Sequence, residues 1–148
     1  VALISTLRLL IADRLRSDTL FQGPPCVDVL VEDEGDLFAE VTKRLQSGTG
    51  LVAVVVEGNL DPNDLAPDSL TVSLAVAVLE NPTLNRGKSG TQISAGRLAE
   101  SVWATLDGWG PGDEWSSLSC QSMAPEPMDG GLMYRVALQT HTVCAVAS

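Results

Sequence analysis

Gly87-Lys88-Ser89 stands between an alternating apolar run that ends at Leu79 and a helix-like segment from Thr91 to Leu106. Glycine, lysine and a hydroxyl between strand and helix are the setting of a phosphate-binding loop. In such a loop backbone amides wrap the phosphates and the lysine meets their charge. The loop also needs a glycine five positions before the second one. That position is Pro82, which has no amide hydrogen and a fixed φ. The spacing therefore argues against nucleotide binding.

The other reactive residue types are equally poorly placed. His141, the single histidine, lies three residues from Cys144. On a strand that separation sends the two side chains to opposite faces, so they form no thiol–imidazole pair. One histidine also argues against a histidine-based metal site. Cys26, Cys120 and Cys144 are odd in number and widely spaced, without a Cys-x-x-Cys pair. They read as buried free thiols in a reducing cytosol rather than as a disulfide framework or zinc site. Asp33 with Asp36, and Asp113 with Glu114, bring carboxylates together without a partnering base. Asp61 and Asn63 begin like a calcium loop, but Leu65 and Pro67 occupy positions that need oxygen ligands or glycine. The expectation is a protein that is not an enzyme, with no catalytic residues, no cofactor and no metal.

Composition narrows the class further. The 148 residues suit one domain over 1–148, and with 45% hydrophobic but only 4% aromatic residues its core must be mainly Val, Leu and Ala. A net charge of −10, from 19 acidic and 9 basic residues, excludes a broad electrostatic grip on nucleic acid. It fits a surface past which DNA slides without sticking. The apolar run Leu9 to Ala12 is short and flanked by Arg8 and Arg14, so no signal peptide is expected. No stretch reaches transmembrane length, and the expectation is a soluble protein made in a cytoplasm.

Periodicity supplies the elements that would position any site. Leu3, Leu7, Leu10, Ile11 and Leu15 recur at helical spacing, and Gln22-Gly23-Pro24-Pro25 stops that helix. Cys26 to Val31 is a short strand. Acidic residues to Asp36 open a second helix with Leu37, Phe38, Val41 and Leu45 on one face. Gly48 is the candidate left-handed cap at its end. Leu51 to Val56 reads as a central strand buried on both faces. In Leu70 to Leu79, Leu70, Val72, Leu74, Val76 and Val78 alternate with Thr71, Ser73, Ala75 and Ala77. The small-residue face invites close approach of a helix or another subunit. The third helix, Thr91 to Leu106, carries Ala95, Leu98, Ala99, Val102 and Leu106 on one side. Two further strands, Trp115 to Met123 and Leu132 to His141, flank a Pro/Gly loop. This order predicts an α+β fold: a mostly antiparallel four- to five-stranded sheet with helices packed on one face.

The layout resembles the tail terminator, or tail-completion, proteins of long-tailed bacteriophages. The likeness rests on the N-terminal helix, the Val-Glu-Asp-Glu-Gly-Asp-Leu run at Val31 to Leu37 and the strand pair. It also includes Glu80-Asn81-Pro82 with Asn85-Arg86 before the third helix, and the Leu-Asp-Gly-Trp exit at Leu106 to Trp109. The resemblance implies a structural virion protein of the tail, assembled in the bacterial host cytoplasm. It implies a homohexameric ring that caps the head-proximal end of the tail tube, halts its polymerisation and joins the neck. Implied partners are copies of itself, the tail tube protein and a neck or head-completion protein, with DNA passing through the lumen and no membrane contact. The alternatives are a head–tail connector, another minor tail protein, or an adaptor of a phage-derived injection machine. Candidate interface residues are Asn81, Asn85, Arg86 and Lys88 in the loop, with Trp103 and Trp109, since Trp is enriched at subunit contacts. On this reading Arg86→Glu weakens assembly and leaves the monomer folded.

Overall fold

Leu7, Ile11, Ala12 and Leu15 lie along one side of α1 (Leu3–Arg16) and are fully buried. The computed structural model describes residues 3–23, 26–32, 35–62 and 69–142. Asp33, Asn63, Leu65, Pro67 and Cys144, which entered the sequence reading, lie outside the described residues. The first helix stops at Arg16, earlier than Gln22-Gly23 suggested. Asp18 then caps a separate turn, α2 (Thr19–Gln22), by accepting from the Leu20 amide.

Among the described residues, five strands form one sheet in the order β1-β2-β3-β5-β4. They are β1 (Asp28–Val31), β2 (Leu51–Pro62), β3 (Leu70–Glu80), β4 (Ser119–Glu126) and β5 (Leu132–His141). Among the described strands only β1 with β2 is parallel, because α3 (Leu37–Gln46) intervenes and returns the chain in the same direction. Asp36 caps α3 through the Ala39 amide, as the acidic lead-in predicts. The α+β class and the mostly antiparallel five-stranded sheet agree with expectation.

The placement of helices departs from it in one respect. α1 and α5 (Ala95–Leu106) cover one face and bury Val72, Leu74, Val76, Val78, Leu98 and Val102. α3 lies on the opposite face, where Leu45, Leu37 and Val41 pack on Val52, Val54 and Val56. The reason is the pattern of β2: Leu51, Ala53 and Val55 point one way and Val52, Val54 and Val56 the other, and both rows are apolar. A strand apolar on both sides must be covered twice. Ala75 and Ala77 of β3 pair with Ala137 and Arg135 of β5 on the face that α3 shares.

Candidate interface surfaces

The loop after β3 is held from within. Glu80, the last residue of that strand, is completely buried. Its Oε2 accepts from Asn85 Nδ2 at 2.6 Å and from Arg86 Nε at 3.1 Å, and its Oε1 accepts from the Ala95 amide at 3.1 Å. Arg86 Nη2 donates to Oε1 as well, at 3.3 Å, which makes the pair bidentate. Burial alone would raise the Glu80 carboxyl pKa. The donors from Arg86, Asn85 and the Ala95 backbone outweigh it and hold the pKa below its ordinary value.

Asn85 is the hub of the knot and is fully buried. Its amide also donates to the Ile93 carbonyl at 2.6 Å, and its Oδ1 accepts from the Thr91 amide at 3.1 Å and from the Thr91 hydroxyl. Two glycines permit the chain to close around it. A Cβ on Gly90 would stand 2.0 Å from the Asn85 carbonyl oxygen, and one on Gly50, which has φ +83°, 2.7 Å from the Asn85 amide nitrogen. Gly50 is thus the left-handed residue after α3, in place of Gly48. Asn81 caps the short α4 (Pro82–Asn85) through the Thr83 amide and donates to the Leu45 carbonyl at 2.7 Å. The helical segment consequently starts at Ala95 with Ser94 as its cap, not at Thr91: residues 91–93 belong to the knot.

These contacts revise the predicted docking loop. Asn85 is an interior residue of the single chain, its side chain bonded to Glu80, Ile93 and Thr91. Arg86 is about half exposed, at 52%, yet its guanidinium is committed to Glu80. Reversing it would set a carboxylate against a buried carboxylate, and the expected outcome is a less stable monomer. Lys88 alone of the four projects openly from the loop, while Asn81 is half-buried. The tryptophans separate too. Trp109 is half-buried against the core, with the Arg14 guanidinium 5.5 Å from its ring centre. Trp103 borders an open depression of about 420 Å³, lined with Glu100 and Met123. Cys26 is exposed, contrary to expectation, whereas Cys120 is buried and its thiol is pushed up to about 12 by burial and the Asp107 carboxylate.

The two ends of the sheet differ sharply. At β1, Arg16 Nη2 donates to the outward carbonyl of Val29 at 2.7 Å, and Asp28 pairs with Arg44 at 2.8 Å. That edge is capped. At β4, seven of the eight residues are exposed, and Cys120 to Pro125 carries no charge. Sequence reading placed a short strand at Trp115 to Met123 and a loop from Ala124, whereas the strand runs Ser119–Glu126. The absence of charge on a terminal strand was the signal it had to offer.

A chain of the virion of a native gene transfer agent particle has the same fold. The two superpose with a TM-score of 0.57 at 13% identity, over 95% of this chain and 96% of that one. No protein-family model matches the sequence. No curated protein matches it either. The virion chain therefore supports the architecture from end to end, with its layered helices and single sheet. It leaves residue roles to be argued from the geometry above.

Proposed function

We propose that this protein is a structural, non-enzymatic subunit of a long-tailed phage or phage-like particle. In this reading six copies form a ring on the head-proximal end of the tail tube, end its polymerisation and join the neck. The carrying observation is the fold shared, over 95% of this chain, with a chain from a gene transfer agent virion. The negative balance of charge supports a lumen through which DNA passes without being held. The partners are further copies of this chain, the tube protein and a neck protein. Assembly takes place in the host cytoplasm and the product resides in the virion tail.

The test is direct. Negative-stain microscopy of the purified protein should show rings with a central hole, and added protein should cap purified tail tubes and arrest their growth. Rings that bind heads but leave tube growth unchanged would move the assignment to a head–tail connector. A monomer stabilised by ATP and magnesium would end the structural reading, because only a ligand of the native state raises its stability.

A further inference from the structure

We draw no further inference here: the strongest candidate, the open apolar depression between α5 and β4 lined by Glu100, Trp103 and Met123, carries no proposal because nothing in the structure shows what covers it.

Discussion

The loop after β3 and the β4 strand carry opposite lessons about surfaces. The loop is polar, rich in Asn and Arg, and reads as a docking edge; in the fold its polar groups are bonded to one another around Glu80 and Asn85. The β4 strand is short of charge and reads as ordinary, yet along its outer side the backbone has no described strand partner. A polar side chain whose partners lie within its own chain has little left for a neighbour. An edge of amides and carbonyls has a whole ladder to give.

That contrast is broken most severely at Glu80. Glu80→Ala would leave the Asn85 amide and the Ala95 N–H without their acceptor, and should lower unfolding stability by about 3 kcal/mol or more. Urea denaturation of the monomer measures it; a loss confined to assembly would show that the knot is not structural. Arg86→Glu should come next, lowering the melting temperature of the unassembled chain, though less than Glu80→Ala. A normal melting temperature with lost assembly would restore the loop as a docking edge.

The pH dependence sharpens the same point. The folded Glu80 carboxyl lies below its ordinary value of 4.5, so its contribution is complete above that value and is lost as pH falls through the depressed one. The stability gap between the native chain and Glu80→Gln should therefore narrow as the pH falls below that ordinary value and through the depressed one. A gap that stays constant, read from urea midpoints, would contradict the assignment. Smaller again is Arg16→Ala, which uncaps the β1 edge. It should cost about 1 kcal/mol and promote association through β1, visible by light scattering. Lys88→Glu, on the free tip of the loop, should change stability by less than about 0.5 kcal/mol.

Much of this architecture was legible in periodicity. The buried stripe of α5 consists of the five residues chosen at helical spacing, Ala95, Leu98, Ala99, Val102 and Leu106. β2 declared itself as a doubly covered strand, although the same fact should have placed a helix on each face. The start of α5 was misread because apolar spacing marks a helix's buried stripe and not its first residue; Thr91 and Ile93 bond with Asn85, and Gln92 between them takes a positive φ of 63°. Cys26 was expected inside because free thiols usually are, and its own neighbourhood at the end of the α2 turn leaves it open.

Sequence alone determined the α+β class and the apolar stripe of the long helices, since these follow from local periodicity. Tertiary structure decided which polar groups are consumed internally and which strand edges remain free. Glu80 meets Ala95 across fifteen residues and Arg16 reaches the Val29 carbonyl across thirteen, and contacts of that range leave no periodic trace in the chain.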